Sequence, residues 1–202
     1  MAANIEIVPA RAKHIRTIAR RMRQADRDEI AAGSGKSPAE ALAFSLRKSS
    51  IAWVAVIDGR PEVMFGAADL NILAGVGAPW LLGTDAIERH YLAFLRGSVS
   101  WRDQLLQRYP VLRNFVDDRN KVSKRWLAWL GFKFSDPVIF GGYAFRAFEL
   151  RSCDVRNNDG SGDRLDGVGR GRRGAAGASG GGLRPVQRAN LGHERDARGS
   201  PG

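Results

Sequence analysis

The chain has 202 residues, 32 Lys and Arg against 21 Asp and Glu, a net charge of +11, a pI near 10.7 and a single cysteine. Cys153 alone rules out an intrachain disulfide, and no stretch approaches the ~18 consecutive apolar residues of a membrane-spanning helix. The last 52 residues hold 13 of the 24 glycines, 10 basic residues that are all Arg and none of the aromatic residues, so residues 151–202 are expected to be a disordered Gly/Arg-rich tail. Residues 1–150 carry every Trp, Tyr and Phe, enough for one domain and too few residues for a multidomain enzyme. The N-terminus meets basic residues after MAANIEIVPA, which predicts a protein without a signal peptide that stays in the cytosol.

Ile5 and Ile7 alternate with polar neighbours before Pro9 and predict a short first strand. From Ala12, Ile15, Ala19 and Met22 recur at helical spacing, with Arg16, Arg20, Arg23 and Arg27 gathered on a cationic face. Ser37, Pro38 and Glu40 have the pattern of a capping box and predict a second helix running to about Lys48. The apolar run Ile51 to Ile57, the turn Asp58-Gly59 and the segment Glu62 to Ala67 predict an antiparallel hairpin. Pro79 to Gly83 reads as a further strand. Helix follows from Glu88 through Trp101 to Tyr109, stopping before Pro110. Val111 to Val116 is the next strand, Asn120 caps a helix carrying Val122, Trp126, Trp129 and Leu130, and Gly131 ends it. Phe132 and Phe134 open another strand, and Tyr143 to Glu149 is the last. Strands separated by helices, with hairpins at both ends, give an α+β sheet protein.

Several motif fragments have plainer readings. Gly33-Ser34-Gly35-Lys36-Ser37 resembles the end of a phosphate-binding loop, but Ile30 stands where the first glycine belongs and a helix where a strand should precede it. His14, His90 and His193 are far apart, and Cys153 has no partner for a metal site. Asp117 and Asp118 precede a helix, where negative charge is favourable without catalysis. Ser98 and Ser100 have no base nearby in sequence. The cationic balance permits weak contact with polyanions such as DNA.

Asn120, Ser123, Gly131 and Phe132 match the pattern of Asn, a small residue three later and a closing Gly-Phe pair that marks GNAT acetyltransferases. More closely, Pro79, Trp80, Leu82, Gly83, Thr84, Asp85, His90, Phe94, Arg96, Trp101 and Tyr109, followed by Asn114, Val116, Asp117, Arg119, Asn120, Ser123, Trp126, Leu127, Trp129, Leu130, Gly131 and Phe132, resemble GNAT-like proteins of short-tailed bacteriophages. The resemblance covers roughly residues 1–150. It implies a GNAT-like, mixed and largely antiparallel sheet flanked by helices. It also implies a role in virion morphogenesis or as an internal virion protein, with phage structural or internal-core proteins as partners, non-specific DNA contact, and a place in the host cytoplasm or the virion.

The same resemblance implies that Leu82, Gly83, Thr84, Arg89, Asn120 and Ser123 are the positions that would hold acetyl-CoA. Two departures argue against a working cofactor site, and the expectation is a catalytically degenerate domain without cofactor; the alternative is an N-acetyltransferase with a non-standard loop. Gly83 to His90 has one glycine and two acids where active members have a glycine-rich pyrophosphate loop. Leu127 stands where many active members have a proton-donating Tyr. Trp53, Val54, Val56, Leu82, Leu105, Phe115, Val122, Trp126 and Phe132 are the expected core.

Overall fold

The computed structural model describes residues 3–158; the expectation of disorder for the Gly/Arg-rich segment lies, from 159 onward, outside the described residues. Seven strands form one mixed sheet in the order β1-β2-β3-β4-β5-β7-β6. They are β1 Ile5–Pro9, β2 Ser49–Ile57, β3 Arg60–Asn71, β4 Val76–Gly83, β5 Val111–Asp117, β6 Lys133–Phe140 and β7 Tyr143–Arg151. Only β4 and β5 pair in parallel. The α+β expectation therefore holds, with a largely antiparallel sheet flanked by helices.

β2 is apolar from Ile51 to Ile57 because both of its faces are covered there. Val54 and Val56 pack with Ile18, Leu42 and Met64 beneath α1 Ile15–Arg20, α2 Gln24–Ser34 and α3 Pro38–Lys48. Trp53 and Ala55 face the other way, with Phe65, Ile87, Phe94 and Trp101, under α4 Ala86–Arg89 and α5 Tyr91–Arg108. A third cluster joins Leu105, Leu112, Leu127, Phe132 and Phe148 between α5, α6 Lys121–Trp129 and strands β5 and β7. The Asp58-Gly59 turn has positive φ at both residues, 48° and 76°, as a tight hairpin whose twist matches its strands requires. The capping box at α3 forms as expected: Ser37 Oγ accepts from the Glu40 amide, and the Glu40 carboxylate accepts from the Ser37 amide at 2.8 Å.

Three expectations are corrected. The cationic helix from Ala12 is two helices, because Met22 bridges to Thr84 and the Arg23 amide donates to the Gly83 carbonyl at 3.0 Å. The chain then re-enters helix as α2, and Arg27 turns back to donate to the carbonyls of Met22 and Ala19, closing the end of α1. Arg16 and Arg20 remain exposed, but Arg23 is buried, so the four arginines do not share a solvent face. Second, Val122 is 57% exposed while Leu127 is buried, which turns α6 by about a quarter from the expected facing. Third, Trp53, Val56, Leu82, Phe115 and Trp126 are only partly buried. Leu82, Phe115 and Trp126 line a cavity, while Val54, Leu105 and Phe132 are buried as expected, the last two also along that cavity. Beyond Leu150, β7 continues through Arg151 and α7 Ser152–Asn158 follows.

Candidate functional site

β4 and β5 pair only at Val76 with Val111 and Gly77 with Leu112, then diverge. The cause is chemical. The Pro79 carbonyl points toward β5, where Asn114 Nδ2 donates to it at 2.9 Å. A strand residue presents its N–H and C=O to the same side, and proline has no N–H, so the ladder ends there. The strands open into a cavity of about 220 Å³. It is lined from both faces of the sheet: Glu29, Phe44 and Lys48 from α2 and α3, and Ser98, Trp101 and Trp126 from α5 and α6.

A continuous chain of polar contacts crosses this opening. The Gly83 amide donates to Asp26 Oδ2 at 2.9 Å, and Asp26 Oδ1 pairs with Arg23 Nη2 at 2.7 Å. The same guanidinium reaches Ser123 Oγ at 3.3 Å. Ser123 donates its amide to Asn120 Oδ1 at 3.1 Å, and Asn120 Nδ2 donates to Glu29 Oε2 at 3.0 Å. Residues far apart in sequence thus tie β4, α2 and α6 together at the wall of the cavity. Arg23 Nε is buried there with no hydrogen-bond partner, an omission that costs on the order of 1–3 kcal/mol if nothing meets it.

Burial raises the Asp26 carboxyl above its ordinary range, although Arg23 and the Gly83 amide oppose the shift. Burial likewise pushes Glu29 up to about 7, against the hydrogen bond from Asn120, with the negative charges of Asp26 and Asp117 adding to the rise. A carboxyl poised near neutrality in a cavity can take or give a proton at physiological pH.

The neighbouring corner is closed. Thr84 donates its amide to the Glu62 carbonyl and its hydroxyl to the buried Glu62 carboxylate, which Arg21 Nη1 also holds at 2.8 Å. The Ala86 amide goes to Thr84 Oγ1, Ile87 to the Thr84 carbonyl, Glu88 and Arg89 to Asp85, and His90 to Ala86. With Gly83, seven amides between positions 83 and 90 are engaged inside the protein. Asp85 and Glu88 place two exposed carboxylates on the same corner.

Of the residues singled out in the sequence, Leu82 and Ser123 line the cavity and Asn120 reaches it through Glu29. Gly83 and Thr84 stand at its end as donors to Asp26 and Glu62, and Arg89 is exposed on α4, away from the lining. Asp117 and Asp118 are not a catalytic pair: Arg119 holds the first and Lys124 and Arg146 the second. Sequence reasoning missed Arg23, Asp26 and Glu29. Their three-residue spacing is the available signal, hidden because the pattern from Ala12 to Arg27 reads as one continuous helix.

No family model matches the sequence, and no curated protein matches it. Solved structures do. The aminoglycoside acetyltransferase AAC(6')-Ib in complex with coenzyme A aligns over 77% of this chain and 99% of its own, with a TM-score of 0.58 and 10% identity. A GCN5-related N-acetyltransferase from Brucella melitensis aligns over 75% and 77%, with a TM-score of 0.56 and 13% identity. An N-acetyltransferase from Staphylococcus aureus Mu50 aligns over 73% and 98%, with a TM-score of 0.55 and 12% identity. The chain has the GNAT acetyltransferase fold. Among the described residues, no helix is long and apolar enough to cross a membrane.

The fold brings acetyl-CoA into question, and the corner after β4 can be tested for it. A pyrophosphate needs free amides and a field that favours negative charge. Here the amides are occupied and carboxylates stand on the corner, so the residues present do not fit that group.

Proposed function

We propose that this chain is a GNAT-fold protein that has lost acetyl transfer from coenzyme A and works through its contacts with other proteins, in the morphogenesis or interior of a phage virion. The observation that carries the loss is the corner from Gly83 to His90, where seven amides are committed to internal partners and Asp26 occupies the Gly83 amide. Leu127, which stands where the resemblance implies a proton-donating Tyr, is buried in the core and offers no proton. The phage assignment is supported by the sequence resemblance from Pro79 to Phe132. On this reading phage structural or internal-core proteins are the partners, in the host cytoplasm and then in the particle. The net charge of +11 supports packaged DNA as a further, non-specific contact.

One observation favours a second reading, acyl transfer to an amine. Glu29, near 7 and facing the cavity, is suited to take the proton of an ammonium group. Calorimetric titration of the full chain with acetyl-CoA, at low and at raised salt, separates the two. The proposal expects only weak heat that salt abolishes. Saturable, salt-resistant binding would overturn it in favour of the enzyme. Finding the protein in purified particles would support the virion assignment, and normal particles assembled without it would remove that assignment.

A further inference from the structure

The mouth of the cavity on the α3 side is cationic. Lys36 Nζ lies 5.6 Å and Lys48 Nζ 5.9 Å from the centroid of the Phe44 ring, and all three residues line the cavity. Neither lysine has an ion-pair partner among the described residues. The other charges on the lining are already balanced or engaged: Arg23 pairs with Asp26, Arg102 pairs with Asp103, and Glu29 accepts from Asn120. Behind the mouth the wall is aromatic and apolar, with Trp80, Phe65, Trp101 and Trp126.

We infer that the cavity is a binding site for a small amphipathic carboxylate, its carboxylate at the Lys36 and Lys48 mouth and its apolar body among the aromatic rings. Two independent features converge on that chemistry. Two unpaired ammonium groups over one aromatic ring attract an anion and repel a cation. The apolar wall favours a hydrocarbon or aryl body. Size sets the scale: an engineered cavity of about 150 Å³ takes benzene, so one of about 220 Å³ takes a substituted ring or a medium alkyl chain. Glu29, near 7, accepts a proton at little cost when an anion enters and so does not veto it.

This inference goes beyond the reading above and stands whether or not acetyl-CoA binds, because its test contains no coenzyme. Trp80, Trp101 and Trp126 line the cavity and report occupancy through their fluorescence. The full chain is titrated with 3-phenylpropanoate, its neutral amide, and the amine 3-phenylpropan-1-amine. The carboxylate should bind about tenfold more tightly than the amide, with the amine weakest. The double variant Lys36→Gln, Lys48→Gln, checked for fold by circular dichroism, should lose most of that preference. Equal affinity for carboxylate and amide, preference for the amine, an unchanged preference in the double variant, or no binding of any of these probes would each overturn the assignment.

Discussion

The two ends of the opening between β4 and β5 differ in what they leave unsatisfied. At the β4–α4 corner, amides that a helix start would present to a phosphate are bonded to Asp26, Glu62 and their own turn. On the α2–α6 side, Arg23 Nε has no acceptor and Glu29 is held at the edge of ionisation. The sheet geometry is shared, since both ends depend on Pro79 ending the ladder. A fold can therefore keep the cavity that its topology creates while filling the anion site beside it with side chains, and the remaining chemistry moves to the opposite wall.

The closed corner breaks most severely at Asp26. Asp26→Ala leaves Arg23 buried without its carboxylate and the Gly83 amide without its acceptor, and should cost about 3–5 kcal/mol in urea unfolding. Asp26→Asn keeps a hydrogen-bond acceptor and should lose less. Should both variants unfold like the parent, the network would be incidental to the fold and the contrast between the two ends would lose its basis.

The open wall is sharpened by pH. Glu29 has its pKa raised from 4.5 to about 7, so the folded state holds a proton that the unfolded chain releases between those values. The stabilisation is complete below pH 4.5 and is lost as pH rises through 7. Glu29→Gln keeps an oxygen for Asn120 but cannot ionise. It should match the parent at pH 4.5 and exceed it at pH 8 by about 2 kcal/mol, discounted from the full shift because Glu29 is partly open to the cavity. Chemical denaturation across that range measures it, and parallel curves for the two proteins would place Glu29 outside the titration.

A smaller effect is expected at Gly83 itself. A Cβ there would sit 2.7 Å from Ile87 Cδ1 and 3.2 Å from Val63 Cγ2, so Gly83→Ala should cost about 1–2 kcal/mol by thermal or urea unfolding as Ile87 gives way. A neutral outcome would mean that the corner is roomier than its hydrogen bonds suggest.

The elements that could be read from sequence are those with local chemistry: the Ser37–Glu40 box, the Asp58-Gly59 turn, and the Asn120 cap with its Ser123 partner. They fix the hairpin, α3 and α6 and so most of the topology. What could not be read depends on tertiary partners. The break at Arg21–Arg23 exists because Met22 and Arg23 bond to Thr84 and Gly83, sixty residues away, and no local residue signals a stop. Without that break α2 was invisible as a separate helix, and with it the placement of Asp26 and Glu29. Arg23 reads as one more solvent arginine because Ser123 lies on a helix that only the fold brings to it, and the three-residue spacing to Asp26 is hidden inside one continuous cationic helix.

The smallest predicted effect concerns the facing of α6, which pattern alone assigns to Val122, Trp126, Trp129 and Leu130. Helical spacing identifies a stripe but not its centre when apolar residues lie on both sides of it. Here Trp126 Nε1 donates to Ser98 Oγ at 3.2 Å and its ring packs 5.1 Å from that of Phe94, which anchors the helix over α5. Anchoring there rolls Leu127 and Leu130 inward, to 6% and 3% exposure, and Val122 and Trp129 outward. Val122→Ala should therefore change unfolding free energy by less than about 0.5 kcal/mol, whereas Leu127→Ala, which empties a site beside Phe132 and Phe148, serves as the positive control at about 2–4 kcal/mol. The ratio is the informative quantity. A large loss at Val122 with a small one at Leu127 would restore the facing read from sequence and carry Ser123 away from Arg23, undoing one link of the polar chain at the cavity wall.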